Sequence, residues 1–261
     1  MHTHHTFVTV GERRTHLLHG EGAPKVLFLH GVGGSAWTFD ATLGHWSPPG
    51  WVVPDLLGYG ESSWLPDGRY SSAVQAEQLV GVLDQLAVDR VAVVGFSWGG
   101  LIGLELAARD PRVCRLAVLD IAPSTSLAST AVPMIPESYP SMDEALAVVQ
   151  TLAPRANAAV AKRDAELSTT PCAEGFRKKI DPKLLRRWPF REEDHWEHWC
   201  QNQRDTLLVR AEHSVVLSAD DAHQMLDANP SATYRQIPDS GHLIPLEQPL
   251  LLAKVLSDFV A

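Results

Sequence analysis

The chain has 261 residues, a formal net charge of −9, a sequence pI near 5.7 and 45% hydrophobic residues. That length lets roughly three quarters of the unfolded surface be buried without disulfides or metals, and it suits one large α/β domain carrying an insertion. No lysine- or arginine-rich run appears: the nearest candidates, Arg177-Lys178-Lys179 and Arg186-Arg187, are short and sit among acids, which argues against a nucleic-acid footprint.

Cys114, Cys172 and Cys200 are odd in number, scattered and in no metal-ligand spacing, so they read as reduced thiols. The N-terminus, MHTHHTFVTVGERR, has no apolar core of signal-peptide length, and no apolar run approaches a membrane span. The expectation is a cytoplasmic protein that does not span a membrane, with His2, His4 and His5 in a loose polar end.

Residues 7–10 and 15–18 read as an antiparallel pair around the turn Gly11-Glu12. Residues 25–29, 51–53 and 90–94 are apolar runs of the kind that a parallel sheet buries on both faces. Apolar residues at 74, 79, 82, 83 and 86 give a helix over 71–86 with Ser71 as N-cap. Residues 101–108 form a small-residue helix stopped by Asp110-Pro111, and 115–119 form a strand that ends at Asp120. The rhythm then breaks. Prolines at 123, 133, 136, 140, 154, 171, 182 and 189 separate short amphipathic segments such as 142–152 and 192–203. A stretch of that length is too long for a bare loop and is expected to be a helical subdomain. Strands at 205–209 and 232–236 and helices at 219–226 and 246–259 close the chain. Strands alternating with helices predict a mostly parallel sheet covered on both faces.

The stretch Val94-Gly95-Phe96-Ser97-Trp98-Gly99-Gly100 sits between a strand and a helix. A serine held on so sharp a turn needs glycines two residues to either side, because side chains there would collide with the neighbouring strand and helix. The hydroxyl then stands above the sheet, and the Trp98 N–H at the helix start can point at an anionic oxygen. The stretch lacks both GxGxxG and the lysine of a phosphate loop.

A serine hydroxyl is a weak nucleophile and needs a base and oxyanion donors. His242 lies in the loop between the last strand and the last helix, where a parallel sheet presents side chains at its strand C-termini. In Leu29-His30-Gly31-Val32-Gly33-Gly34-Ser35 an apolar strand runs into a glycine-rich loop, and Val32 can offer its N–H beside that of Trp98. His30 reads best as a structural histidine that hydrogen-bonds this loop.

Taken in order, LHGVGGSAWTFD, PDLLGYGESS, GFSWGG and SGHLIPLEQP resemble the oxyanion loop, DxxGxGxS loop, nucleophile elbow and terminal histidine motif of the α/β-hydrolase fold family. The resemblance covers nearly the whole chain. It implies an eight-stranded, mostly parallel sheet with helices on both faces, built from residues 1–120 and 204–261. Residues 121–203 fall in the slot of an inserted helical cap over the serine.

The resemblance also calls for a carboxylate behind His242. Most of the family carries it after the strand that follows the cap, in a loop resembling GxxD or GxxSD. Here that loop reads Val209-Arg210-Ala211-Glu212-His213-Ser214-Val215-Val216-Leu217-Ser218, with serine or valine at the expected place. A second family location is the end of the strand before the cap, which Asp120 occupies. Asp120 is assigned as the acid; Glu212 and Asp220 are the alternatives, and Ser214 could hydrogen-bond the histidine.

The expected substrate pocket comprises His30, Gly31, Trp37, Phe96, Ser214 and Leu243, with Trp98 beside it. Trp188, Phe190, Trp196 and Trp199 are expected mostly as packing, with one or two at the entrance. Asp194-His195-Trp196-Glu197-His198 puts two histidines three apart, a spacing that can hold a metal; without HExxH it reads as a polar cap helix, and no metal or cofactor is expected. The expected activity is hydrolysis of carboxylic esters, thioesters or lactones of small to medium apolar compounds through an acyl-enzyme. The partner is then a small-molecule ester, with no nucleic acid or membrane, and the protein a monomer or homodimer. Alternatives are a carbon–carbon bond hydrolase acting on diketones, a perhydrolase, or a weakly hydrolytic small-molecule receptor. Serine in place of aspartate at the elbow argues against epoxide hydrolase and haloalkane dehalogenase reactions.

Overall fold

The computed structural model describes residues 3–124, 135–186 (Arg186 by its backbone) and 193–261. The apolar runs become strands β1 (His4–Val10), β2 (Arg13–His19), β3 (Val26–Leu29), β4 (Trp51–Pro54), β5 (Val91–Phe96) and β6 (Val113–Leu119). The insertion contributes β7 (Ser138–Tyr139), β8 (Thr169–Cys172) and β9 (Gly175–Lys178), and β10 (Asp205–Ala211) and β11 (Ala232–Ile237) follow it. Eight of these strands form one sheet in the order β1-β2-β4-β3-β5-β6-β10-β11. The first three neighbours pair antiparallel and the rest parallel.

That order decides where a site can form. From β3 the chain steps outward to β4 and then returns to lay β5 against the other edge of β3. The loops leaving β3 and β5 therefore diverge at a topological switch point, and a crevice opens at the strand C-termini. β3, β4 and β5 are buried along their whole length, as the continuous apolar runs predict.

The helices are α1 (Asp40–Leu43), α2 (Ser72–Gln85), α3 (Trp98–Arg109), then α4 (Met142–Leu152), α5 (Ala158–Leu167), α6 (Pro182–Arg186) and α7 (Trp196–Gln201) of the insertion, and α8 (Ala219–Ala228), α9 (Ile244–Glu247) and α10 (Pro249–Val260). Ser71 caps α2 as expected, its Oγ accepting the Val74 N–H at 3.2 Å. α2, α3 and α8 bury Leu79, Leu83, Ile102 and Met225 against one sheet face; α1 and α10 bury Leu43, Leu252 and Leu256 against the other. Each such side chain contributes about 1.5–3 kcal/mol of transfer free energy. Pro249 starts α10 afresh, which splits the helix expected over 246–259 in two. Among the described residues no helix is long and apolar enough to cross a membrane.

Two expectations are corrected. The insertion is not purely helical: β7, β9 and β8 form a three-stranded antiparallel sheet. The β-branched pair Thr169-Thr170 and the hairpin turn at Gly175 (φ +119°) specify it. The N-terminal histidines are also not loose. His4 and His5 pair with His19 and Leu18, extending β1 beyond residue 7, because backbone pairing on an edge strand tolerates polar side chains. His2 lies outside the described residues.

Within PDLLGYGESS the key residue is Asp55, which is 2% exposed. It accepts the N–H groups of Ala36 (2.7 Å) and Glu61 (3.0 Å), and a 2.7 Å contact to His16 Nδ1 completes its shell. Burial alone would raise its pKa, but the His16, Ala36 and Glu61 hydrogen bonds together hold it below the ordinary 3.8. A carboxyl whose folded pKa is depressed contributes stability above its unfolded pKa and loses it as pH falls through the folded value. Asp55→Asn is therefore expected to lower the melting temperature by roughly 5–10 °C near neutral pH. In scanning calorimetry the gap between parent and variant should narrow as pH falls below 3.8.

Candidate active site

Ser97 occupies a backbone conformation that a serine rarely adopts, φ 53° and ψ −127°, between the end of β5 and the first residue of α3. The flanking glycines make this turn possible. A Cβ at Gly95 would lie 2.2 Å from the Gly99 carbonyl oxygen, and one at Gly99 would lie 2.2 Å from that of Leu29. Backbone atoms cannot give way as a side-chain tip can, so only hydrogen fits at either position. The oxyanion loop closes in equally: a Cβ on Gly31 would stand 2.7 Å from that of Ser97.

His242 Nε2 lies 3.0 Å from Ser97 Oγ, and its Nδ1 lies 2.8 Å from Asp120 Oδ2. Asp120 ends β6 at φ 55° with no exposed surface. Its Oδ1 accepts the Ala211 N–H at 2.8 Å, and its Oδ2 accepts the Ser214 hydroxyl at 2.6 Å. The Ser214 oxygen in turn accepts the N–H groups of Val216 and Leu217, which leaves its proton for the carboxylate. A carboxylate in that shell acts as an acceptor, so His242 presents Nδ1–H to it and the Nε2 lone pair to the serine. The Val32 and Trp98 N–H groups have no hydrogen-bond partner among the described residues.

The His242 loop is held by Glu247, a residue that the sequence reading passed over although it lies inside SGHLIPLEQP. Its buried carboxylate accepts the Gly241 N–H and, at 3.2 Å, the Arg155 N–H from the insertion.

A profile of the alpha/beta hydrolase fold matches residues 24–249. The chain belongs to the alpha/beta hydrolase fold family. It is 43% identical over 106 residues to esterase Rv0045c of Mycobacterium tuberculosis, a match over 40% of this chain and 35% of that protein. It is 37% identical over 114 residues to a 2-hydroxymuconate semialdehyde hydrolase of Pseudomonas putida, over 38% of this chain and 36% of the relative. These two matches thus span about a third of each relative's length. Lipase LipV of Mycobacterium tuberculosis is 27% identical over 247 residues, 90% of this chain and 92% of the lipase. The crystal structure of esterase Rv0045c superposes with a TM-score of 0.82 at 26% identity, covering 99% of this chain and 91% of the other.

Against the alpha/beta hydrolase pattern, the expected pocket needs correction at several positions. Gly31, Val32, Phe96 and Leu243 do line a cavity beside the serine. His30 does not: it is fully buried, with Nδ1 2.8 Å from the Gly31 carbonyl and Nε2 accepting the Leu56 N–H at 3.1 Å. Burial holds it below the ordinary histidine pKa, so it is a neutral strut behind the loop. The Trp98 ring is buried against Tyr59 and donates Nε1–H to Ser72 Oγ at 2.8 Å, so only its backbone faces the site. Trp37 lines adjoining hollows with Asp40 and Arg163, one of which shares Asp164 and Leu246 with the cavity beside the serine. Ser214 donates its hydroxyl to Asp120 and makes no hydrogen bond to the histidine among the described residues. Glu212 accepts the Asp239 N–H, and Asp220 lies in the first turn of α8. Trp199 is buried with Nε1–H donated to the Met225 carbonyl, and Trp196 Nε1–H reaches Ser124. Trp188 and Phe190 lie outside the described residues.

The cavity also holds charge that the sequence reading missed. Asp164 of α5 and Lys178 of β9 line it among Val148, Leu152 and Leu246. Desolvation pushes the Asp164 pKa up and that of Lys178 down. The Lys178 ammonium reaches Ser168 Oγ at 2.9 Å. Within Arg177-Lys178-Lys179 the two-residue strand period turns the middle residue inward.

Two glycines of α3 separate the elbow's requirement from ordinary helix propensity. Gly99→Ala is expected to lower the melting temperature by at least about 5 °C, because the added methyl overlaps the Leu29 backbone. Gly103→Ala, whose Cβ would approach a Leu116 methyl at 3.0 Å, is expected to stay close to the parent in the same thermal unfolding measurement.

Proposed function

We propose that this protein is a serine hydrolase that cleaves carboxylic esters, thioesters or lactones of small to medium apolar compounds through an acyl-enzyme. The single observation that carries the reading is the unbroken hydrogen-bonded chain from Ser97 through His242 to Asp120, at 3.0 and 2.8 Å. In this reading His242 Nε2 takes the Ser97 proton as Oγ attacks the carbonyl carbon, then returns it to the leaving alcohol or thiol. Asp120 fixes the imidazole tautomer and stabilises the imidazolium. The Val32 and Trp98 N–H groups receive the negative charge that develops on the carbonyl oxygen. Water, activated by the same histidine, then releases the acid. No cofactor enters any of these steps.

The 2.8 Å contact between Asp120 and His242 supports a hydrolase over a weakly hydrolytic receptor, because the loop after β10 has no carboxylate at the place most of the family uses. A fluorophosphonate probe is expected to label the parent and leave Ser97→Ala unlabelled; an unlabelled parent overturns the reading. Asp120→Asn should lower kcat for a short-chain ester by about 10⁴-fold. Ser214→Ala, which removes one hydrogen bond to the carboxylate, should lower it by about 10-fold. Glu212→Gln and Asp220→Asn should stay near the parent.

One observation favours a second reading within the same mechanism. Lys178 lines the cavity beside Asp164, and a carboxylate on the acyl portion is the group that the lysine would recognise; the similarity to a 2-hydroxymuconate semialdehyde hydrolase keeps the carbon–carbon alternative in view. Lys178→Met is expected to lower kcat/KM about 100-fold for an ester bearing a distal carboxylate. The neutral ester of equal length should be affected much less; equal loss on both removes Lys178 from substrate recognition. Turnover of a carboxylate-bearing diketone faster than either ester would favour the carbon–carbon reaction.

A further inference from the structure

Outside the Ser97 cavity, one cluster of side chains has the chemistry of a ligand set. Glu105 points from α3 at two histidines of the insertion's last segment, His195 immediately before α7 and His198 within it. Glu105 Oε1 lies 3.5 Å from His195 Nδ1 and 3.7 Å from His198 Nδ1, and one ligand atom from each residue falls within 4.8 Å of the others. Both Nδ1 atoms are buried and have no hydrogen-bond partner among the described residues, and His195 is 4% exposed. Two unpartnered imidazole nitrogens converging on one carboxylate oxygen leave a cost that protein groups do not offset.

The remaining atoms of these residues are committed in a way that frees the converging ones. Glu105 Oε2 accepts Arg109 Nε–H at 2.9 Å, so Oε1 alone faces the histidines. His195 Nε2 lies 3.3 Å from Glu193 Oε2. A carboxylate at that nitrogen draws the ring proton to Nε2 and turns the Nδ1 lone pair toward Glu105, the arrangement that supports a metal-bound histidine.

We propose that Glu105 Oε1, His195 Nδ1 and His198 Nδ1 bind a divalent transition metal of the Zn²⁺ class. Two imidazoles and one carboxylate are the donors such ions prefer, whereas Mg²⁺ and Ca²⁺ call for oxygen alone. Ligand arms of 2.0–2.1 Å in a tetrahedron set donor atoms about 3.3 Å apart, close to the 3.5 and 3.7 Å from Glu105 Oε1 to the two Nδ1 atoms, and the histidine nitrogens, within 4.8 Å of each other, would draw together on the ion. Three protein ligands leave a fourth position for water. The site joins α7 to α3 two turns beyond the Trp98 amide, about 10 Å along the helix. Glu193 extends the connection: it accepts the Ser72 N–H at 2.8 Å, and Ser72 Oγ accepts the Trp98 indole N–H.

The test uses the full chain, stripped with a chelator and titrated with Zn²⁺ alone by calorimetry. One ion per chain is expected, with a matching rise in melting temperature. His198→Ala, at a partly exposed position, and Glu105→Gln should abolish both signals, and Glu193→Gln should weaken affinity by about 10–100-fold. His5→Ala, which disrupts the contact between His5 and His16 on the edge strand, should bind as the parent does. Absence of binding in the parent overturns the proposal. So does binding that survives both His198→Ala and Glu105→Gln, or that disappears in His5→Ala. None of these readouts uses a substrate, so they stand apart from the ester hydrolase reading.

Discussion

A carboxylate with no exposed surface is the constraint on which the site depends. Burying the Asp120 charge would cost several kcal/mol without partners, and the fold surrounds it with the Ala211 N–H, the Ser214 hydroxyl and His242. Those partners come from two separate stretches of chain, the end of β10 with its loop and the loop after β11. They meet only because β10 runs beside β6, where the Asp120 N–H bonds the Val209 carbonyl at 2.7 Å. The same shell that offsets the buried charge holds the histidine in line with Ser97, so stability and geometry have one origin.

Asp55 repeats the principle at the end of β4, as Asp120 does at the end of β6. It gathers His16 from β2, the Ala36 N–H at the end of the oxyanion loop and the Glu61 N–H of its own loop. His30 props the loop from beneath. Two buried acids thus position opposite halves of one site: one stands behind the histidine, the other behind the backbone that carries Val32.

Much of this was legible along the chain because its signals are local. The apolar runs at β3, β4 and β5, the Ser71 cap and the glycines flanking Ser97 each follow from what a short peptide must do to be a buried strand, a helix start or a strained turn. Signals that depend on a neighbour were read less well. Trp98 and Trp37 stand near site residues in sequence, yet one ring points into the core and the other lines hollows that adjoin the cavity. Lys178 looked like part of a solvated basic run until strand pairing turned it toward the cavity. The proline-rich insertion hid a small sheet because its strands are only two to four residues long.

What the sequence by itself determined was the class of fold and the order of the chemical groups: a serine on a tight turn, a glycine-rich loop before it and a histidine after it. The sequence assigned Asp120 to that histidine by its place at a strand end and left Glu212 and Asp220 open; the tertiary structure brings Asp120 Oδ2 to 2.8 Å from His242 Nδ1 and bonds Glu212 to the Asp239 N–H instead. It also decided that Glu105 meets His195 and His198, two segments some ninety residues apart in the chain. The physical reason is the same in both cases. Hydrogen bonds and ligand contacts act over about 3 Å, and residues far apart in sequence come within that range only when strand order and helix packing bring them there.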